Sequence, residues 1–425
     1  MPRRLSTHSV YLVDGIRTPF LIKPTRPVSY SPLDLSVISS RTLLLRQPFM
    51  AQDIDAVIIG SSLTQPTDLA FKLKQRLMPQ SSSQPGSTNA TSSQQATLSL
   101  SGELSGFEAL EYACQQIALN QKQLVLTGGV DMLEITPPST LPHLQTAPAL
   151  ASLSQKLLDK SQRLGDLAAK YSPKEPAVEA CSILRKTAEK KAVTLDLSSQ
   201  ALTDYIQLSQ RRLQYAQRNN LLASVMPVFY PDGQVIYRDQ GISYNDAAQY
   251  DTANNAASHE TRLPHNAIAP PAEGASFLLL ASKTCVQRHQ LPVIAELSFT
   301  NWACGANASH QKTVNQAVKE LLNHAKLTLK DIDYWEINEH SAVDILAAQQ
   351  SCKHIETLAT LNQVNLDGGV LTLGNPPAAN AMRMVLQLAH TLKRQQASKG
   401  VVTSTFPDGR AFALLIKSSQ PGEKQ

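Results

Sequence analysis

Gln52-Asp53-Ile54-Asp55-Ala56-Val57-Ile58-Ile59-Gly60 is echoed far downstream by Lys330-Asp331-Ile332-Asp333-Tyr334-Trp335-Glu336-Ile337-Asn338. Each copy is an Asp-Ile-Asp turn that feeds a short run, and Ala56 to Gly60 is apolar and β-branched enough for a strand buried on both faces. Each copy follows a helix-like stretch. Each is followed, some tens of residues later, by a loop, a helix and another strand. In the second copy that later part is Gly374-Asn375-Pro376, a helix over about Ala379 to Arg394 and a strand over Gly400 to Thr403. A βαβ-type unit recurring in this order predicts a duplicated α/β core.

Outward from the first copy, Val10 to Val13 reads as a short strand ending at Asp14-Gly15, and Ser31 to Leu45 reads as a helix. Ser105-Gly106-Phe107-Glu108 has the form of a helix capping box, and Phe107, Leu110, Cys114, Ile117 and Ala118 follow at helical spacing. Gln123 to Leu126 reads as a strand closed by Gly128-Gly129. Residues 79–97 are rich in Ser, Gln and Thr and read as a loop. Residues 135–260 are polar, with Pro137, Pro138, Pro142 and Pro148 near the start and an amphipathic helix over Ser199 to Arg218. The expected division is a first half over 1–134 plus 221–282, an inserted cap or loop domain over 135–220, and a second half over 283–425.

At 425 residues the chain is too long for one ordinary core. Its formal charge of +5 is modest for that length, and there is no long Lys/Arg run, which argues against a nucleic-acid partner. Five cysteines are scattered without a CxxC pair, so neither a metal site nor a disulfide framework is expected. The first residues lack the apolar run of a secretory signal, and no stretch of about 18 apolar residues suggests a transmembrane helix. The expected home is a reducing cytoplasm.

Six blocks, in order, resemble the thiolase family, and most of all the β-subunit type of the fatty-acid oxidation trifunctional complex. They are Ile16-Arg17-Thr18-Pro19-Phe20, Ser105 to Leu110, Gly128-Gly129 with Met132, Trp335 to Ala342, Gly368-Gly369 with Gly374-Asn375-Pro376, and Gly400 to Ala413. Any one alone would be weak; their order and spacing are specific together. The resemblance implies a duplicated, five-layered α/β/α/β/α fold. It also implies a homodimer or a hetero-oligomer with another thiolase-like or β-oxidation subunit. No cofactor is required, and a coenzyme A ester is the implied ligand.

The same resemblance exposes departures at the reactive positions. The family's nucleophilic cysteine, at a helix N-terminus that favours the thiolate, aligns with Glu103. A carboxylate there reads either as a general base on an acyl thioester or as a tolerated helix-start acid. The family's activating histidine aligns with Asn375, which either donates to a thioester oxygen or simply forms a turn before Pro376. The second cysteine aligns with Thr405, and the glycine whose N–H serves an oxyanion hole aligns with Pro407, which has none. Asn338 is retained. Asn266 and Ala267 resemble the start of the pantetheine loop, with Ile268 in place of its serine and one extra residue before Glu273-Gly274-Ala275. Cys304, near His310, is a remote candidate nucleophile, Cys114 reads as core, and His340 either faces the old pocket or is a structural or surface histidine.

Overall fold

The computed structural model describes residues 3–4, 8–22, 30–62, 68–78, 96–133, 176–222, 224–230, 233–241, 263–305, 310–351, 361–406 and 408–419. In chain order these form β1 (Arg3–Arg4), β2 (Val10–Arg17), α1 (Pro32–Leu44), β3 (Ala56–Ser61), α2 (Leu69–Leu77), β4 (Ala96–Ser101), α3 (Ser105–Ala118) and β5 (Leu124–Asp131). Helices α4 (Pro176–Thr194) and α5 (Ser199–Arg218) follow, then the small hairpin β6 (Val228–Phe229) and β7 (Val235–Ile236), and β8 (Gly274–Ser282). The rest comprises α6 (Lys283–His289), β9 (Ala295–Cys304), α7 (His310–Ala325), β10 (Tyr334–Ile337), α8 (Ala342–Ser351), α9 (Val370–Leu373), α10 (Pro377–Arg394), β11 (Lys399–Thr405) and β12 (Arg410–Ser418). No helix among the described residues is long and apolar enough to cross a membrane.

The main sheet runs β4-β3-β5-β8-β2-β9-β12-β11-β10. In its first part β3 is parallel to β4 and β5, while β8 is antiparallel to β5 and β2. In its second part β10 is parallel to β11, while β12 is antiparallel to β11 and β9. The two parts therefore share one topology. The place taken by β4 in the first is held in the second by Val364, which makes a single parallel bridge with Trp335. They join edge to edge where Val10–Leu12 of β2 pairs with Ala295–Leu297 of β9.

Helices α3 and α10 lie between the two parts of the sheet. A single core containing Phe107, Leu110, Met382, Val385, Leu278 and Leu414 draws on both helices and both parts. Helices α1 and α2 cover the outer face of the first part, around Leu43, Leu73 and Ile59. Helices α7 and α8, with α4 and α5 over them, cover the outer face of the second around Leu321, Ile345 and Tyr205. The result is five layers, α/β/α/β/α, in which the sheet faces are covered except along the edge strand β4, whose residues are half-buried or exposed.

The repeated Asp-Ile-Asp performs the same work twice. Asp53 Oδ2 accepts from Met50 N at 2.9 Å, and Asp331 Oδ2 accepts from Thr328 N at 2.7 Å, so each closes a one-turn 3₁₀ helix. Ile54 and Ile332 are buried beneath those turns. Asp55 Oδ2 accepts from Gln123 N and Leu124 N at 2.6 and 2.9 Å. Asp333 Oδ2 accepts from Ser398 N and Lys399 N at 2.8 and 2.9 Å. Each second aspartate thus satisfies the donors that open the neighbouring parallel strand, fixing β3 to β5 and β10 to β11 in register.

Several local expectations change. The Ser105–Glu108 capping box does not form. The chain enters α3 from a turn at Gly102, Leu104 holds the N-cap position without a side-chain bond, and Glu108 reaches Arg410 instead. Strand β2 does not stop at Asp14-Gly15 but continues to Arg17 past a register shift between Leu12 and Asp14. Strand β5 runs through Gly128-Gly129 to Asp131. Of the loop expected over 79–97, residues 96 and 97 open β4, and the rest lie outside the described residues.

Candidate functional site

The site is built where β10 and β11 end, α10 begins, and the 264–272 segment crosses between them. Asn338 directly follows β10; its N–H donates to Thr403 O at 2.9 Å and its side chain is buried. Asn338 Nδ2 donates to Ser404 Oγ at 3.0 Å and lies 2.9 Å from His340 Nε2, while Asn338 Oδ1 accepts from Asn380 Nδ2 at 3.2 Å. Asn375 directs Nδ2 at His340 Nδ1, 3.5 Å away, and its buried Oδ1 has no partner among the described residues. His340, half-buried, therefore stands between the two carboxamides. Glu339 between Asn338 and His340 points the other way, accepting from Tyr205, Ser209 and Asn365, so α5 anchors this loop from behind.

The 264–272 segment is clamped onto the same cluster. Ala269 N donates to His340 O at 2.9 Å, and Asn375 N donates to Pro270 O at 2.7 Å. Single bridges link Ile268 with Ser341 and Pro271 with Asn375. Within the segment Ala267 is fully buried, and Asn266 keeps a buried Nδ2 with no partner among the described residues. An orphan amide donor in a loop beside the cluster is a feature that a polar ligand would satisfy.

Behind the cluster runs a buried polar chain. Arg383 Nε donates to Asn380 Oδ1 at 2.7 Å, and Arg383 Nη1 lies 3.5 Å from Glu336 Oε2. Burial pushes the Glu336 carboxyl up to about 8, against the opposing pull of Arg383. The start of α10 is satisfied by another chain segment: Asp131 Oδ2 accepts from Ala378 N and Ala379 N at 2.8 and 2.9 Å. Burial raises the Asp131 carboxyl even so, outweighing the hydrogen bonds from Ser62, Ala379 and Ala378.

Other candidate positions sit differently. Thr405 ends β11 opposite Ala411 and is half-buried. Pro407 lies outside the described residues. Glu103 is exposed in the turn before α3, and its carboxylate makes no hydrogen bond or ion pair among the described residues. It is nevertheless close to the seam. A Cβ on Gly106 would stand 2.3 Å from Ala378 O and one on Gly129 2.0 Å from it, so the starts of α3 and α10 approach through glycine alone.

No described cysteine joins the cluster. Cys304 is exposed on β9 opposite Arg410, and the side chain of its expected partner His310 lies outside the described residues. Cys114 is buried on α3, where burial pushes its thiol up; Cys285 is buried too, its thiol raised to about 11 by burial and then by Asp55. The side chain of Cys181 and all of Cys352 lie outside the described residues. No group of side chains among those described could hold a metal ion. Of the two sequence readings of His340, the one facing the pocket agrees with its place in the cluster. The signal was its position on the loop leaving a parallel strand's C-terminal end, where α/β sheets gather functional groups.

Residues 291–418 match the family model described as the thiolase C-terminal domain. The human mitochondrial trifunctional enzyme subunit beta is 24% identical over 96% of this chain and 88% of its own length. A cytosolic acetyl-CoA acetyltransferase of Gibberella zeae is 23% identical over 97% and 98% respectively. Among solved structures, the human mitochondrial 3-ketoacyl-CoA thiolase in complex with CoA superposes with a TM-score of 0.73 at 20% identity, covering 97% of this chain and 98% of that one. The Bacillus anthracis acetyl-CoA acetyltransferase gives 0.75 at 18% identity, covering 97% and 99%. With the sheet order, the duplicated halves and the structural superpositions in agreement, this chain has the thiolase fold, and its residues 291–418 match the thiolase C-terminal domain.

Proposed function

We propose that the protein binds a coenzyme A thioester at the seam of its two halves and does not perform cysteine-based thiolysis. The observation that carries this reading is the make-up of the seam: carboxamides, an imidazole and hydroxyls meet there, and no described cysteine does. A carboxamide can hold a carbonyl oxygen but cannot act as a sulfur nucleophile. The orphan Asn266 Nδ2 beside the cluster supports a polar ligand of pantetheine type, and a thiolase of the same fold has been crystallised with CoA. Titration calorimetry with acetyl-CoA tests the binding. Saturable heat that weakens in Asn266→Leu is expected; no heat with acetyl-CoA or a 3-ketoacyl-CoA refutes it.

In this reading the protein acts as a pseudoenzyme subunit in the cytoplasm, as a homodimer or paired with a thiolase-like or β-oxidation partner. The trifunctional enzyme subunit beta among its relatives and the three unpaired cysteines among the described residues support it. A second reading keeps Glu103 as acid/base for altered thioester chemistry, favoured by its place in the turn that leads into α3, whose first turn approaches α10 at Gly106. If Glu103→Gln leaves any detected turnover unchanged, that reading is removed.

A further inference from the structure

We infer that His340 is a carbonyl-binding hydrogen-bond donor, fixed in its Nδ1–H tautomer by a buried relay that starts at Arg383. This rests on the thioester-binding reading for the identity of the ligand, and on geometry alone for the tautomer.

The relay has one solution. An arginine Nε can only donate, so the atom of Asn380 that faces Arg383 Nε at 2.7 Å is its oxygen. The Asn380 amide nitrogen must then face Asn338, and the atom receiving it at 3.2 Å is Asn338 Oδ1. That leaves Asn338 Nδ2 with two hydrogens and two neighbours, Ser404 Oγ at 3.0 Å and His340 Nε2 at 2.9 Å. His340 Nε2 therefore accepts, and the ring proton of the neutral imidazole sits on Nδ1. Carboxamide orientations and histidine tautomers are ordinarily inferred from their surroundings; here an obligate donor at one end determines the rest. Arg383, Asn380 and Asn338 are positioning residues, and each is buried.

The Nδ1–H then faces Asn375. In the orientation recorded, Asn375 places Nδ2 at 3.5 Å from that nitrogen, donor against donor, while its Oδ1 is buried without a partner among the described residues. Rotating the amide by half a turn removes the conflict, since Oδ1 then accepts from Nδ1–H. Asn375 Oδ1 is thus an alternative acceptor for the same proton. A thioester carbonyl oxygen lying beside both side chains accepts from His340 Nδ1–H, and Asn375 in its recorded orientation supplies a second donor through Nδ2. The half-buried position of both side chains leaves the cluster reachable. An imidazole held neutral and aimed at an oxygen is an electrostatic device for polarising a carbonyl.

Two readouts on the full-length protein test this. Nitrogen NMR on ¹⁵N-histidine-labelled protein, with His340 assigned by loss of its signals in His340→Gln, is expected to show an unprotonated Nε2 and a protonated Nδ1. Asn380→Leu is expected to release the ring towards the Nε2–H form, while a conservative Asn380→Gln retains part of the bias. An Nε2–H tautomer in the unaltered protein overturns the relay. Calorimetry compares acetyl-CoA with S-ethyl-CoA, which lacks the carbonyl oxygen. His340→Phe is expected to weaken acetyl-CoA about tenfold, the worth of one such hydrogen bond, to leave S-ethyl-CoA unchanged, and to be partly rescued in His340→Gln. Equal effects on both ligands, or none, overturn the donor role. Binding of neither ligand to the unaltered protein removes the thioester reading and the donor role with it, while the tautomer measurement still decides the relay.

Discussion

Arg17 shows how a motif residue can be structural. Its guanidinium is buried and meets Asp239 through Nη1 and Nη2 at 2.5 and 2.7 Å, and the same carboxylate accepts from Phe20 N. Asp239→Ala strands a buried charge, so a loss of about 3–5 kcal/mol is expected in urea unfolding. Glu336 makes a pH prediction. Its folded-state carboxyl titrates near 8, above the unfolded value near 4.5, so the native state binds the extra proton between those limits. Stability then falls as pH rises from about 4.5 to about 8, and Glu336→Gln is expected to flatten that slope in pH-dependent unfolding. The second aspartate of each repeat is legible in the sequence because it answers to strand openings that recur with it. His340 is not, because its role depends on Arg383 and Asn375, which only the fold brings near.

Among the elements, α10 depends most on its surroundings. Its first N–H groups are satisfied by Asp131 from the end of β5, not by a residue of its own segment. Asp131→Ala is expected to cost about 1–3 kcal/mol for each stranded donor, read as a lower thermal midpoint. Gly106→Ala would press a Cβ to 2.3 Å from the backbone at Ala378, separating α3 from α10. A loss of about 1–3 kcal/mol from overpacking is expected in the same assay. The supposed capping box at Ser105–Glu108 shows where local pattern fails. Ser105 is already inside the buried first turn, and the Glu108 carboxylate pairs with Arg410. Of the glycines that seemed to close β5, Gly129 instead lets α10 approach it and Gly128 makes room for the Phe277 ring, which no local rule distinguishes from a turn.

Over the whole molecule, one duplicated unit and one changed seam account for the observations. The duplicated unit is readable from residues 52–60 and 330–338 because its aspartates and buried isoleucines serve the same purpose in both halves. The seam is readable only in outline: Asn338, Asn375 and Thr405 could be placed by resemblance, whereas the imidazole, Ser404 and the Arg383–Asn380 chain emerge from the packing of α10 against the ends of β10 and β11. The most direct measurement is thiolysis of a 3-ketoacyl-CoA by the purified protein with free coenzyme A, followed by mass spectrometry of the intact chain. No turnover above the uncatalysed rate and no acylated cysteine are predicted. Turnover at an ordinary thiolase rate, abolished by iodoacetamide and accompanied by an acyl group on any cysteine, would contradict the account.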